Sequence, residues 1–191
     1  ESVRAIVINS GIANACTGKL GMEYCNEIAN EVSKITGVDK NEVLTASTGV
    51  IGKQLPMDKI KEGISKLFPK LTEDENGAKL AAEAIMTTDT VSKQIAVKTV
   101  IGNKEVTIGG MCKGSGMIHI NMCTMLGFIT SDVNISKELL QEALSDVIVD
   151  TFNMVSVDGD TSTNDTVVLL TNGLANNVCI TEKNEDYLAF K

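Results

Sequence analysis

The sequence predicts a layered α/β or α+β domain built around a mixed sheet. Short apolar runs of strand length alternate with segments whose apolar residues recur at three and four positions, so both periods are present. They do not follow one another in a strict strand–helix–strand repeat, and a hairpin signal interrupts them in the middle of the chain, which rules out a purely parallel sheet. A length of 191 residues, 43% of them hydrophobic, supplies apolar material for one sizeable core or two small ones.

Residues 3–9 (VRAIVIN) read as a short buried strand, followed by a loop of small residues over 9–18. Met22, Cys25, Ile28, Ala29, Val32 and Ile35 then share one helical face, and Gly37 is a fitting stop. A strand is predicted over 43–47. Pro56 at a first helical position opens a second helix carrying Ile60, Ile64, Leu67 and Phe68. Thr72 and Glu75 have capping-box spacing for a third helix, ending near Met86.

In the centre, Ile95, Val97, Thr99 and Ile101 alternate with Gln94, Ala96, Lys98 and Val100, and Gly102-Asn103 permits a tight reversal into 105–108, which reads as a β-hairpin. A glycine-rich loop over 109–116 leads to an apolar strand around 124–129. Ser136 caps a strong helix with Leu139, Leu140, Ala143, Leu144, Val147 and Ile148 inside. Residues 154–157 and 166–171 are predicted strands, separated by the polar loop 158–165. No repeat, low-complexity tract or Pro/Ser-rich linker marks a domain boundary.

Seventeen basic against 25 acidic side chains leave a net charge of −8, and no run of Lys or Arg forms a local basic patch, so nucleic acid is excluded as a partner. No stretch of about 18 uncharged apolar residues exists, which argues against a membrane-spanning helix. The five cysteines show neither C-x-x-C spacing nor a companion His cluster, so disulfide staples and a zinc site do not suit the chain and no metal is expected. Free thiols and the lack of a signal peptide fit a reducing cytoplasm. The first residue is Glu1 rather than Met, so the native N-terminus is expected to lie upstream.

Hydroxyl or thiol nucleophiles that use an imidazole base have only His119 to draw on, and a lone His is more often a structural hydrogen-bonding residue. Asp158 and Asp160, two apart in a Gly-containing loop, read as turn formers or a cation site rather than a glycosidase pair. Thr124 lies between apolar residues at the mouth of a predicted strand. On periodicity it is an ordinary strand Thr; if the Cys123–Thr124 bond is cut, its freed α-amine, with a pKa of about 7.7–8.0, lies beside its own hydroxyl and supplies the missing base. Spacing alone does not choose between these readings.

Five ordered motifs bear on that choice: N-S-G-I-A-N-A-C-T-G from Asn9, A-S-T-G-V-I-G from Ala46, K-G-S-G-M-I from Lys113, N-M-C-T-M-L from Asn121 and V-D-G-D-T-S-T-N-D from Val157. Together they span almost the whole chain, and in this order they resemble the bifunctional ornithine acetyltransferase/glutamate N-acetyltransferase family of arginine biosynthesis. The resemblance implies the family's self-processing fold and a precursor that cleaves itself before Thr124, so that residues 1–123 match the end of an α chain and 124–191 the start of a β chain. It implies ping-pong transfer: the Thr124 hydroxyl takes the acetyl group from N-acetylornithine, ornithine leaves, and glutamate collects the acetyl.

By the same resemblance Thr48 and Gly49 match the oxyanion-hole pair, Thr87 and Lys113 match substrate-binding positions, and no metal or obligatory organic cofactor takes part. Acetyl-CoA is left open as a second donor. The α and β chains are expected to stay associated and pair again, as a heterotetramer. By itself Lys113 reads as a solvated loop Lys, and the loops 9–18 and 158–165 as turns whose Asn and Asp side chains bond nearby amides, without a catalytic role.

The chain departs from the family pattern at Ile120, where members have Pro, and at Cys123, where they have Ala; both positions adjoin the cleavage point. It is also shorter, so family regions before Glu1 and beyond Lys191 are expected to be absent, among them a C-terminal region that adds substrate contacts. Two other readings compete. One is an amide hydrolase of the aminopeptidase type on a related self-cleaving fold, with water as acceptor; the other is a catalytically silent truncated domain.

Overall fold

The computed structural model describes residues 2–119, 125–162 and 164–191. The chain divides into two compact units, Glu1–Ser92 and Lys93–Lys191, so the apolar material is spent on two small cores. The fold is mixed α/β, with parallel and antiparallel pairing, as the two interleaved periods predict.

In the first unit β1 (Ala5–Ile12) and β2 (Val43–Val50) pair in parallel, in register from Ala5↔Val43 to Ile12↔Val50. Both run further than their apolar cores predict. Asn9, Ser10 and Gly11, assigned to a loop on composition, are held extended because the β2 edge supplies their ladder bonds. Between the strands runs α1 (Gly18–Thr36), closed by Gly37 at φ 76°, whose N–H bonds to Ser33 O at 2.9 Å. Ala29 and Val32 are buried with Val43, against Ala5, Val7, Val38 and Ile64, and form a core of this unit, and Ile28 on the same helix is buried too. Met22, assigned to the same face, is 68% exposed because it lies a turn and a half before the packed stretch.

Helix α2 (Met57–Leu67) begins one position later than expected. Pro56 stands at the N-cap, its carbonyl accepting the first helical N–H, from Ile60 at 3.1 Å. Leu67 and Phe68, predicted on its inner face, are exposed, since the chain turns into a 3-10 helix at Phe68–Lys70. Helix α3 (Glu75–Ala84) is capped by Asp74, which accepts Gly77 N–H at 2.7 Å. The Thr72–Glu75 box is not formed: Glu75 is already helical, and Thr72 instead donates its hydroxyl to the Asp74 carboxylate at 2.8 Å.

The second unit is a four-stranded sheet in the order β3 (Lys93–Ile101), β4 (Lys104–Lys113), β5 (Leu126–Ser131), β6 (Thr166–Thr171). The predicted hairpin is β3–β4, turning at Gly102 and Asn103 with φ of 52° and 64°, the double left-handed conformation that a two-residue reversal requires. β4 continues through Gly109 and Gly110 to Lys113, because β5 pairs along it from Ser131 to Leu126; the glycine-rich loop therefore begins only after Lys113. β5 and β6 are parallel, connected through α4 (Lys137–Val149), which Ser136 caps by accepting Leu139 N–H at 3.4 Å.

Residues 154–157 are not a strand. Phe152–Met154 is a 3-10 helix, and Met154, Val155 and Val157 are exposed; apolar, β-branched composition does not make a strand where no neighbouring ladder takes it up. A closing helix, α5 (Glu185–Phe190), escaped the hydrophobic pattern but carries a start signal, Asn184 accepting Tyr187 N–H at 3.1 Å with two acids in the first turn. Its Tyr187 and Phe190 complete the second core with Ile101, Val106, Val133, Ile135, Leu139, Ala143 and Ile180. Among the described residues, no helix is long and apolar enough to cross a membrane.

Candidate functional site

Thr48 and Gly49 stand near the carboxyl end of β2, the end of a parallel pair where α/β proteins place ligands. Thr48 is fully buried and its Oγ1 has no hydrogen-bond partner among the described residues. A buried hydroxyl left unsatisfied costs about 1–3 kcal/mol, which makes Thr48 Oγ1 a candidate donor to a ligand. Gly49 has φ 131°, and a Cβ there would lie 2.2 Å from the Gly11 carbonyl carbon and 2.4 Å from its oxygen. Only glycine allows β1 and β2 to close at that point.

The surrounding small residues tie this end together. Ser47 Oγ donates to Asn9 Oδ1 at 2.6 Å, and Asn9 Nδ2 donates to Ile12 O at 2.8 Å. Asn14 accepts the Thr17 hydroxyl at 2.6 Å and donates to Gly21 O at 2.9 Å, shaping the entry to α1. Ser10, cross-strand from Thr48, donates its hydroxyl to Ile85 O and so ties the end of α3 to the same strand end. Two residues on, Thr87 is exposed, its N–H donating to Asp89 Oδ2 at 3.2 Å. Asp89 is buried; sequence reading passed over it, although an acid closing M-T-T-D was the available signal.

In the second unit Lys113 ends β4, in register with Leu126, and is only 2% exposed. It is not the solvated loop Lys that its flanking glycines suggest, because strand pairing draws it into the protein. Its charge bears on Asp165, which immediately precedes β6. Burial pushes the Asp165 carboxyl above its ordinary value, while the Met125 N–H at 2.7 Å, the Ser162 side chain and the Lys113 charge pull the other way. Asp158 is exposed and held below the ordinary carboxylate range by the backbone N–H groups of Met117, Asp160 and Ile118, Met117 foremost. The Asp160 N–H contact, 3.2 Å, makes Asp158 the turn former expected of it. His119 Nδ1 lies 3.1 Å from Ser156 Oγ, a structural contact.

The structure thus brings Thr48, Gly49 and the stretch before Thr87 to one end of the first unit and buries Lys113 in the second. Cys123 and Thr124 lie outside the described residues. The boundary between units, at Ser92 and Lys93, falls elsewhere than the 123/124 division of the expected chains.

The fold is that of a mixed α/β protein, with a buried hydroxyl and a steric glycine at the carboxyl end of paired strands. The chain belongs to the ArgJ family, whose family model matches residues 1–191. The arginine biosynthesis bifunctional protein ArgJ 1 of Clostridium acetobutylicum is 51% identical over 191 residues, all of this chain and 46% of that protein. The ArgJ protein of Bacillus subtilis is 46% identical over 190 residues, again 46% of its length. The chain therefore spans about half the length of the curated relatives it matches. Among solved structures, ArgJ from Bacillus halodurans superposes with a TM-score of 0.55 at 43% identity, over 63% of this chain and 60% of that one. Ornithine acetyltransferase complexed with ornithine, from Mycobacterium tuberculosis, gives 0.50 at 35%, over 59% and 60%.

Proposed function

We propose that the protein of which this chain forms a part transfers the acetyl group of N-acetylornithine to glutamate through an acetyl-Thr124 intermediate. The observation that carries this is the buried Thr48 hydroxyl without an acceptor among the described residues, followed by Gly49, in a chain of the ArgJ family. Relatives bear the name of bifunctional arginine biosynthesis proteins, and one neighbouring structure is an ornithine acetyltransferase with ornithine bound.

In this reading the precursor breaks the Cys123–Thr124 bond, and the new α-amine of Thr124 takes the proton of its own hydroxyl as Oγ attacks the acetyl carbonyl. Negative charge collects on that carbonyl oxygen, where the Thr48 hydroxyl and the Gly49 N–H act as donors. The C–N bond breaks, the proton passes to the departing amine, and ornithine leaves. Glutamate's amine then attacks the Thr124 ester, and the same steps run in reverse. Lys113 presents a cation to a substrate carboxylate and Thr87 a hydroxyl. No metal or organic cofactor is assigned a step, and acetyl-CoA is a second donor to be assayed. The α and β chains act as an associated pair, doubled to a heterotetramer, in the cytoplasm.

The test is intact-mass analysis of the whole protein. Cleavage should leave a chain whose sequence begins T-M-L-G-F, and N-acetylornithine should add about 42 Da, one acetyl group, to that chain. Thr124→Ala should abolish both events and Thr124→Ser should keep some of each. Transfer to glutamate, rather than release of free acetate, separates the acetyltransferase from the hydrolase. An active enzyme that never shows the adduct overturns the mechanism.

A further inference from the structure

The polar loop between the 3-10 helix Phe152–Met154 and β6 reaches across some forty residues of sequence to grip the chain at two points. At the first, Asp158 Oδ1 accepts the Ile118 N–H at 2.9 Å and Oδ2 accepts the Met117 N–H. The Ile118 carbonyl in turn accepts Val157 N–H at 2.7 Å and the Ser156 hydroxyl at 3.4 Å. At the second, Asp165 Oδ1 accepts the Met125 N–H at 2.7 Å, and the Met125 carbonyl accepts Thr166 N–H at 3.1 Å. The two grips share one design. A carboxylate takes the N–H of the held residue, and a backbone N–H beside that carboxylate takes its carbonyl.

Between Ile118 and Met125 lies the run 119–124, which ends in the Cys123–Thr124 bond. We propose that Asp158 and Asp165 are positioning residues for self-cleavage, anchoring both ends of this run so that the bond is presented to the Thr124 hydroxyl. The proposal rests on Thr124 being the nucleophile of its own release. In that step Oγ attacks the Cys123 carbonyl carbon, the C–N bond breaks as the amine gains the hydroxyl proton, and an ester joins the two chains. Water then hydrolyses the ester, restoring the Thr124 hydroxyl and leaving Cys123 as a carboxylate.

An intramolecular attack of this kind is limited by how often the hydroxyl and carbonyl meet in line, and fixing both ends of a short run removes most of the wandering that would separate them. Neither carboxylate needs to touch the reacting atoms. Asp158, held below the ordinary carboxylate range by the amides it grips, stays an anionic acceptor at neutral pH.

The experiment follows cleavage of the whole protein with time, by intact mass, together with its melting temperature, in Asp158→Ala, Asp165→Ala and the corresponding Asn variants. Asp165 grips through one oxygen, which Asn retains, so Asp165→Asn should cleave close to the wild-type rate. Asp165→Ala should be slowed roughly 10- to 100-fold, the loss that ~1 Å of misplacement produces. Asp158 uses both oxygens, so its Asn variant should fall between wild type and Ala. Alanine variants that cleave within about twofold of wild type overturn the proposal. So do rate losses that track melting temperature with Asn as slow as Ala. A wild-type protein that yields no chain starting at Thr124 overturns instead the reading on which the proposal rests.

Discussion

The strand end at Thr48 and the grips on either side of the 119–124 run solve the same problem by different physics. In the first unit, geometry is set by backbone meeting backbone: Gly49 lies so close to Gly11 that not even one methyl group fits between them. In the second, geometry is set by carboxylates reaching for N–H groups far along the chain. Steric closure does not depend on pH and tolerates no larger side chain. Carboxylate grips tolerate amide substitution, and they answer to protonation. A fixed donor suits the first solution, whereas a segment that must be held until a bond breaks suits the second.

The sharpest way to break the comparison is Gly49→Ala. The new Cβ meets backbone that cannot rotate away, at a φ that L-residues avoid, so a loss of about 3–5 kcal/mol is expected in denaturant titration. Gly11→Ala is the control: its φ is 104° but its Cβ would meet nothing within 4 Å, so strain alone should cost about 1–2 kcal/mol. Equal losses at the two positions would show that conformation, and not contact, closes this strand end.

Thr48→Val comes next. It removes the orphaned hydroxyl at nearly constant volume, so turnover should fall roughly 10²–10³-fold, as for other oxyanion donors. Because that hydroxyl is unsatisfied among the described residues, the variant should also be more stable, by about 1 kcal/mol. Measured on one preparation, turnover and stability should move in opposite directions. A variant with normal turnover removes Thr48 from the site.

The smallest effect is the pH response of the two grips, and it differs in sign. The carboxyl of Asp158 sits below its ordinary value in the folded protein, so its contribution is present above about pH 4 and is lost as pH falls through the folded value. Asp165 sits above, chiefly through burial. The folded state therefore holds its proton longer than the unfolded state does, and stability falls as pH rises from the ordinary carboxylate value through the raised one. Melting curves of Asp158→Asn and Asp165→Asn between pH 3 and pH 7 should diverge from wild type in opposite directions. Parallel curves would mean that the two carboxylates share one environment.

Much of this protein was determined by local chemistry and is legible in the residues. Gly37 stops α1, Gly102-Asn103 turns the hairpin and Ser136 opens α4, because each signal acts within a few residues of where it stands. The motif S-T-G-V-I-G marks Thr48 and Gly49 only through its family resemblance, since a Thr-Gly pair ending a strand is locally ordinary. Tertiary structure alone decided how far strands run and what lies inside. β1 extends into small polar residues and β4 through two glycines because a neighbouring ladder holds them. Residues 154–157 look like a strand and are not one, since no ladder receives them. Lys113 leaves solvent through strand pairing, and Asp158 and Asp165 become grips only once β5 and β6 lie side by side. These features depend on groups some forty residues apart finding one another, and composition or spacing within a short window carries no trace of that meeting.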